Sequence, residues 1–365
     1  MKKLTGIKVL MVISLLFLTS CSSSNDKLEN MEKGKFIIGY SQFLKADGKF
    51  VVYDSSGNAL SEVNVEPTQL RSTAKDNKNY YFVSARSGVR YQVSNSGEVT
   101  DLMNPNDSKA SGGSYFIHAE DGFVFYDINI GKEEGQNEYV SQLVYWKNTQ
   151  NEKNHVELKG TIMGAHVIDN KIYALSDTLE KMYISVIDTN TNKKVNEFEI
   201  KNQGTFFEAT NDKYIFQEYK DKLLLAVRDI NKEKASRIYV IDYKSQKIDR
   251  EILFDHGFSP YSITVLKDQV YIVGENEEIL EFSSDLKLQR KYTLQHTNQF
   301  NSLNTFGMGD LVVRDQFLYV LYEYNRKTDE RGQIITYDIQ TGKMIESTVI
   351  KDKEKWEFIR FEVIK

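Results

Sequence analysis

The sequence predicts an all-β protein, a seven-bladed β-propeller of four-stranded blades in which the C-terminal strand closes the ring. Three observations predict it. Short runs of Val, Ile, Tyr and Phe alternate with polar residues and are separated by Asn, Asp, Gly and Lys clusters, which is the pattern of strands and turns. A strand–turn–strand unit recurs seven times. The chain has only three prolines, and proline removes a hydrogen-bond donor from a sheet.

The repeated unit sets the number of blades. Successive copies begin 40 to 55 residues apart, a period typical of propeller blades with four strands each. The paired strands of the seven copies are Lys49–Asp54 with Ala59–Val65, Val89–Ser94 with Glu98–Met103, Gln142–Lys147 with His155–Leu158, Tyr183–Asp188 with Lys194–Ile200, Arg237–Asp242 with Lys247–Phe254, Glu278–Ser283 with Lys287–Leu294, and Gln333–Asp338 with Lys343–Ile350.

The two ends of the repeat region predict how the ring closes. Two further strands precede most copies, as Thr161–Ile168 and Lys171–Ser176 precede the fourth. Only Phe36–Gln42 precedes the first copy, whereas Trp356–Ile364 is a spare strand after the seventh. We therefore expect this last strand to become the innermost strand of the first blade, which leaves no open sheet edge between the first and last blades. The predicted propeller spans residues 36–365.

The first residues have the pattern of a secretory signal. A basic start precedes the apolar run Val9–Leu18, which is too short to cross the roughly 30 Å of a bilayer core. The residues that follow, Leu-Thr-Ser20-Cys21, resemble the lipobox of bacterial lipoproteins. The resemblance implies that residues 1–20 are removed between Ser20 and Cys21, that Cys21 is lipidated, and that the protein is anchored to the cell membrane on its extracytoplasmic side. Residues 21–35 are polar and predict a flexible tether.

Charge and cysteine content exclude several classes of function. Removal of residues 1–20 takes away three lysines and no acid, so the formal net charge goes from −5 to −8. An acidic mature chain favours neither nucleic acid nor an anionic bilayer surface as a partner. Cys21 is the single cysteine, and its acylation leaves no thiol for a disulfide, a thiolate zinc site or a nucleophile. We expect a monomer with no cofactor.

One blade carries the residues of a known repeat. The segment His256–Val273 contains Gly257, then Pro260, a strand, a turn at Asp268 and a second strand. This order resembles the YVTN-type propeller repeat. Separately, Tyr337–Lys343 resembles the turn of the repeat in pyrroloquinoline-quinone propellers, a turn that non-enzymatic propellers also use. The resemblance implies propeller architecture over nearly all of residues 36–365 and does not specify an activity, since propellers host unrelated functions.

Two histidines form the first candidate site. His118 and His166 lie one repeat apart, so they are predicted at the same place on the innermost strands of neighbouring blades, facing the central channel. Two imidazoles can bind a divalent metal ion, but such a site usually has a third ligand. Thr264 and Val312 occupy similar positions in other blades and supply none. The pattern therefore favours packed or solvated histidines, and no metal site is predicted.

Other motifs of catalysis or metal binding are weak or absent. Asp188-Thr-Asn-Thr-Asn192 followed by Glu199 resembles an EF-hand calcium loop, but Lys193 stands where the sharp turn requires glycine. The same residues coincide with a repeat hairpin, which is the favoured interpretation. The sequence has no Gly-x-Ser-x-Gly elbow and no phosphate-binding loop, and its five histidines are scattered.

The aromatic residues suggest where a ligand binds. Most are expected in the core, because propeller blades pack through bulky side chains. Several flank the starts of the predicted inner strands, near one mouth of the channel, where loops on a rigid scaffold can form a binding rim. The candidate binding residues at the channel mouth are Tyr115, Phe116, Phe206, Phe207, Phe258 and Tyr261, together with His118 and His166.

The sequence favours a non-enzymatic function. The expected protein is a lipid-anchored, extracytoplasmic propeller that binds a protein, a peptide or an envelope component through one funnel face. Two alternatives stay open. One is an enzyme of the propeller-hydrolase or quinoprotein kind, although no catalytic residues are identified. The other is a lipoprotein that captures a small ligand or a metal ion, for which the paired histidines are the support.

Overall fold

The computed structural model describes residues 27–102, 112–132, 139–150, 152–178, 181–200, 214–227, 235–296, 305–324, 330–352, 354 and 356–365. These residues form 28 strands and one short 3₁₀ turn, Met31–Lys33. All strands belong to seven antiparallel, four-stranded sheets, and each sheet is one blade. Across these ranges, no helix is both long and apolar enough to span a bilayer.

In every blade, the four strands follow one another in chain order from the inner wall of the ring outward, except that the innermost strand of blade 1 comes from the C-terminal end of the chain. Blade 1 is β28 (Phe358–Val363), β1 (Phe36–Ser41), β2 (Gly48–Tyr53) and β3 (Ala59–Val65). Blade 2 is β4 (Leu70–Lys75), β5 (Asn79–Ser84), β6 (Arg90–Ser94) and β7 (Val99–Asp101). Blade 3 is β8 (Ile117–Glu120), β9 (Phe123–Lys132), β10 (Tyr139–Lys147) and β11 (Asn154–Lys159). Blade 4 is β12 (Thr161–Ile168), β13 (Lys171–Asp177), β14 (Met182–Asp188) and β15 (Lys193–Ile200).

Blades 5 to 7 repeat the same order. Blade 5 is β16 (Phe216–Tyr219), β17 (Lys222–Val227), β18 (Arg237–Asp242) and β19 (Lys247–Leu253). Blade 6 is β20 (Pro260–Leu266), β21 (Gln269–Gly274), β22 (Glu278–Phe282) and β23 (Leu288–Thr293). Blade 7 is β24 (Thr305–Arg314), β25 (Phe317–Tyr324), β26 (Glu330–Asp338) and β27 (Met344–Lys351). The structure confirms the predicted seven-bladed propeller.

The C-terminal strand closes the ring as the sequence predicts. Strand β28 pairs with β1 in an antiparallel register that runs from Phe36 opposite Val363 to Ser41 opposite Phe358. Contacts between neighbouring blades run largely through the first strand of each sheet, such as β28 with β4 and with β24. These first strands therefore form the inner wall of the ring, and β28 completes it.

The core lies between the blades. Seven buried apolar clusters are present among the described residues, one between each pair of neighbouring blades. The cluster between blades 7 and 1 contains Leu321 of β25 and packs it against Phe36, Ile38, Trp356 and Phe361. Because each blade buries both of its faces, successive residues along a strand, which point to opposite faces, can both be apolar. This explains the continuous apolar runs in the second strand of several blades, such as Leu223–Val227 in β17.

The ordered domain begins before the predicted boundary at residue 36. Lys27 pairs with Glu98 in an isolated bridge, and the Leu28 and Met31 side chains are buried against blades 1 and 2. Residues 27–35, predicted from the sequence to belong to the flexible tether, are therefore packed on the propeller. Hydrogen bonds from the backbone N–H of Leu28 to the carbonyl of Gly97 and from that of Lys35 to the carbonyl of Tyr53 also hold the segment. Residues 1–26, including Ser20 and Cys21, lie outside the described residues.

The segment that resembles a calcium loop is a hairpin turn. Asp188 Oδ1 accepts the backbone N–H groups of Asn190 and Thr191, both at 2.9 Å, between β14 and β15. Glu199 lies at the far end of β15, where its carboxylate forms an ion pair with Lys181 at 3.0 Å. The hairpin interpretation of this sequence is confirmed.

Candidate functional site

A polar cavity of about 530 Å³ lies at the ends of the inner strands. The last residues of β4, β8, β24 and β28 surround it, and the turns after β4 and β8 complete the wall with Asn148 and Tyr214. Four carboxylates, two cations and one imidazole line it. These residues are Asp76, Glu120, Asp121, Glu362, Lys75, Arg314 and His118.

The two cations of the cavity hold three strand ends together. Lys75 Nζ donates to the carbonyl oxygens of Val363 and Ile364 at 3.0 and 3.1 Å, and Arg314 Nη1 donates to that of Val363 at 2.6 Å. Burial and the nearby Arg314 charge lower the pKa of Lys75 to about 8. Both cations are thus directed toward the end of β28, and the four carboxylates give the cavity an excess of negative charge.

Glu120 is the centre of a hydrogen-bonded cluster beside the cavity. Its Oε2 atom lies 2.7 Å from His166 Nδ1 and 3.1 Å from His118 Nε2. Its Oε1 atom accepts the backbone N–H of Val167 at 2.6 Å. His118 and Glu120 are on β8, whereas His166 and Val167 are on β12, so the cluster joins the inner strands of blades 3 and 4.

The partners of His166 define its protonation. His166 Nε2 lies 2.7 Å from the carbonyl oxygen of Phe216 on β16. A carbonyl only accepts, so Nε2 carries a hydrogen, and Nδ1 faces the Glu120 carboxylate, which also accepts. Burial opposes the charged form of His166, but Glu120 and the two hydrogen bonds raise its pKa. In the same way, His166 and His118 hold the pKa of Glu120 below its ordinary range despite burial.

The cluster presents three donor atoms to one point. His118, Glu120 and His166 each offer one ligand atom, and these atoms lie within 4.8 Å of one another. The His118 and Glu120 side chains are 20% and 21% exposed, whereas that of His166 is 4% exposed. Two of the three groups can therefore be reached from the cavity, and the third is fixed behind them.

The structure brings together the two histidines that the sequence singles out. Their ring centroids are 5.2 Å apart, with the planes at 65°. Sequence reasoning missed Glu120, which supplies the third donor atom. A signal was present, because His118-x-Glu120 places two polar side chains on the same side of one strand. The contact of His166 with the backbone carbonyl of Phe216 could not be predicted from the sequence, since every residue has a backbone carbonyl.

Four of the predicted aromatic residues, Tyr115, Phe116, Phe258 and Tyr261, lie at the other ends of the inner strands. Phe116 and Phe258 are buried in the clusters between blades 3 and 4 and between blades 5 and 6. Tyr115 and Tyr261 are partly buried. Phe206 and Phe207 lie outside the described residues. A binding role for these aromatic residues stays a prediction, and the two buried rings belong to the core.

A second histidine network lies away from the cavity, between blades 6 and 7. His296 Nε2 is 2.5 Å from Glu277 Oε2, and the Tyr337 hydroxyl is 3.0 Å from His296 Nδ1. Tyr337 is fully buried, and none of the three residues lines the cavity. This network satisfies polar groups inside the core.

Comparison with known proteins gives a fold but no family. No family model matches the sequence, and no curated protein matches it. The chain is similar in structure to dihydro-haem d1 dehydrogenase NirN in complex with DHE, with a TM-score of 0.52 and 10% identity, over 87% of this chain and 66% of that one. It therefore spans slightly less than two thirds of the NirN chain.

Two further solved structures are similar over most of their length. Apo AztD from Citrobacter koseri has a TM-score of 0.51 and 12% identity over 90% of this chain and 98% of that one. The computationally designed protein Ika8 has a TM-score of 0.50 and 11% identity over 88% of each chain. At these identities the likeness shows the fold alone, and the resemblance to YVTN-type repeats stays a prediction. The chain is similar in fold to these natural and designed proteins and is itself a seven-bladed β-propeller.

Proposed function

We propose that this chain is a membrane-anchored, extracytoplasmic binding protein that takes a cationic group of its ligand into the cavity at the ends of the inner strands. The ligand is a protein, a peptide or an envelope component. The cavity carries the proposal, because four carboxylates and two cations line it among the residues that the structure describes. A wall with this excess of negative charge attracts a cationic group and repels an anionic one.

The scaffold supports a binding role. The cavity is built on seven sheets whose apolar clusters pack each blade against both neighbours. A rigid wall lowers the entropy cost of binding because few groups have to be ordered. A lipid on Cys21 would confine the protein to the membrane and raise the effective concentration of partners there.

Photo-crosslinking in cells tests the binding site. A photoreactive amino acid replaces Asn77, an exposed residue of the cavity wall. The matched control replaces Asn190, an exposed residue in the β14–β15 turn at the outer side of the ring. We expect a partner captured from Asn77 and absent from Asn190, and we expect D121N to weaken the capture. Equal capture from both positions, or none from Asn77, would overturn the proposal.

Lipid labelling tests the anchor separately. An alkyne fatty acid is supplied to cells that make the wild-type chain or its C21A variant. We expect label and membrane association in the wild type and loss of both in C21A. A wild-type chain that stays unlabelled, or a C21A chain that remains with the membrane, contradicts the anchoring proposal and leaves the cavity proposal standing.

A further inference from the structure

We propose that His118, Glu120 and His166 bind a divalent transition metal ion, with zinc as the best match, and that the open position of the metal faces the cavity. The inference deepens the proposed function, on which it rests for the identity of the ligand site. The inference adds that the protein holds a metal ion and that a donor atom of the ligand binds to this ion. Two imidazole nitrogens and one carboxylate oxygen are a donor set that suits zinc.

The distances fit a small metal ion. Zinc bonds of about 2.0–2.1 Å in tetrahedral geometry place neighbouring donor atoms about 3.3 Å apart. Glu120 Oε2 lies 3.1 Å from His118 Nε2 and 2.7 Å from His166 Nδ1. All three donor atoms lie within 4.8 Å of one another, so the spacing that a zinc ion requires falls within the range that the cluster spans.

A preformed outer shell supports the same assignment. His166 Nε2–H is held by the carbonyl of Phe216, which directs Nδ1 toward the cluster. Histidine ligands of metals regularly donate their other ring N–H to a carbonyl or a carboxylate, which fixes the ring. Glu120 Oε1 is likewise held by the N–H of Val167, which leaves Oε2 for the ion. The metal takes the place of the hydrogen between Nδ1 and Oε2.

The three ligands leave one tetrahedral position open. His118 and Glu120 line the cavity, so that position faces it. Three protein ligands and one open position are the arrangement of zinc sites that bind a further molecule. The carboxylates of Asp76, Asp121 and Glu362 in the same wall favour a cation there. A neutral imidazole of the ligand would complete the coordination, since the same wall repels an anionic donor.

Zinc binding to the full-length protein tests the site. The lipidated chain is purified in detergent, stripped with EDTA and titrated with Zn²⁺ alone by isothermal titration calorimetry in the presence of a competing chelator. We expect one equivalent to bind. Co²⁺ bound at the same site should give the visible spectrum of a tetrahedral ion. Acylated Cys21 supplies no thiolate, so it cannot account for the binding.

Variants separate the cluster from the remaining surface. H118Q and E120Q should each weaken zinc binding at least tenfold. H155Q is the matched control, because His155 is exposed on β11 and lies outside both the cluster and the cavity wall. H118Q removes only one hydrogen bond of a partly exposed side chain, so it keeps the fold even if E120Q does not, and urea unfolding of each variant verifies this.

The outcomes distinguish this inference from the proposed function. No zinc binding by the wild type, or equal binding by wild type and H118Q, overturns the metal site. If crosslinks from Asn77 persist in either case, the binding function stands without a metal. One equivalent of zinc that H118Q loses supports the site, and if no crosslink forms from Asn77, the macromolecular partner alone is withdrawn.

Discussion

Glu120 on the inner strand of blade 3 accepts the backbone N–H of Val167 on the inner strand of blade 4 at 2.6 Å. A hydrogen bond of the same kind, from a backbone N–H to a carboxylate of the neighbouring blade, is present where the ring closes. Asp310 Oδ2 of blade 7 accepts the N–H of Phe361 of blade 1 at 3.1 Å. Inner strands of neighbouring blades cannot pair as a sheet around the ring, so carboxylates bridge their backbones. Glu120 has this structural role in addition to its place in the candidate metal site.

The pairing of Glu120 with His166 predicts a coupled effect on stability. H166A leaves a largely buried carboxylate without its cation, and E120A leaves the imidazolium and the Val167 N–H unpaired. Each change should cost about 3 kcal/mol of unfolding free energy. The double variant should cost less than both together, with a coupling of about 1–3 kcal/mol. Urea unfolding in the presence of EDTA gives the unfolding free energy of the wild type, of each single variant and of the double variant.

An exposed pair provides the control for this cycle. Lys181 and Glu199 lie 3.0 Å apart on blade 4, with side chains 47% and 35% exposed. Their coupling should be below about 1 kcal/mol, because water screens exposed charges. If the Glu120–His166 coupling is no larger than this control, the cluster does not hold blades 3 and 4 together.

The closure of the ring predicts that its last strand is indispensable. Phe361 is fully buried between blades 7 and 1, and F361A should lower the unfolding free energy by about 3–5 kcal/mol. Deletion of residues 356–365 should prevent folding, since it exposes β1 and opens the ring. V195A on the outer strand β15, where Val195 is 54% exposed, is the control. Circular dichroism shows whether the truncated chain folds, and urea unfolding gives the unfolding free energies of F361A and V195A. A truncated chain that stays folded contradicts the closure.

The sequence was sufficient for most of the fold. The seven strand–turn–strand copies predicted seven blades, and the unmatched strand at the C-terminal end predicted the closure, because both depend on regular spacing. The segment from Lys27 to Lys35 was missed for a physical reason. Leu28 and Met31 form no period, and the groove between blades 1 and 2 that buries them exists only after folding.

The candidate site was only half accessible to sequence reasoning. Spacing placed His118 and His166 at equivalent positions, since both follow the period of the repeat. The role of Glu120 was harder to predict, because the His118-x-Glu120 spacing shows only that the two side chains share a side of the strand. That Glu120 turns toward the next blade depends on the angle between sheets. Phe116 and Phe258 were expected at a rim and are buried. The sequence pattern shows that both residues come close to the start of a strand. It does not show whether they are exposed, because this depends on how the blades pack.

Arg90 predicts a large effect from a conservative substitution. It is fully buried, its Nε donates to Ser114 Oγ at 2.6 Å, and its Nη2 donates to the carbonyl of Gly112 at 2.5 Å. The guanidinium thereby anchors the chain that leads into β8. The single ammonium group of lysine cannot make both of these hydrogen bonds in the geometry of a guanidinium. R90K should therefore cost about 3 kcal/mol of unfolding free energy. R86K, at an exposed arginine, should cost less than about 1 kcal/mol; equal losses would show that Arg90 has no such role.

Lys75 predicts a rise of stability with pH. Burial and the Arg314 charge lower its pKa to about 8 in the folded protein, whereas an unfolded lysine has a pKa of about 10.4. Between these values the unfolded chain binds a proton that the folded chain has lost. The unfolding free energy must therefore increase as pH rises through this interval. Below about pH 8 both states are charged, and the cost of burying the ammonium is fully present.

The K75M variant isolates this effect. We expect the difference in unfolding free energy between wild type and K75M to shift in favour of the wild type from about pH 7.5 to about pH 9.5. The window ends there because the lysine of the unfolded chain also loses its proton as the pH approaches its pKa of about 10.4, and the difference then stops changing. K33M, at an exposed lysine, should keep the wild-type slope. Parallel pH profiles for wild type and K75M would show that the Lys75 ammonium is as well solvated in the folded protein as in the unfolded chain. The cavity wall would then carry one more full positive charge at alkaline pH than the structure implies.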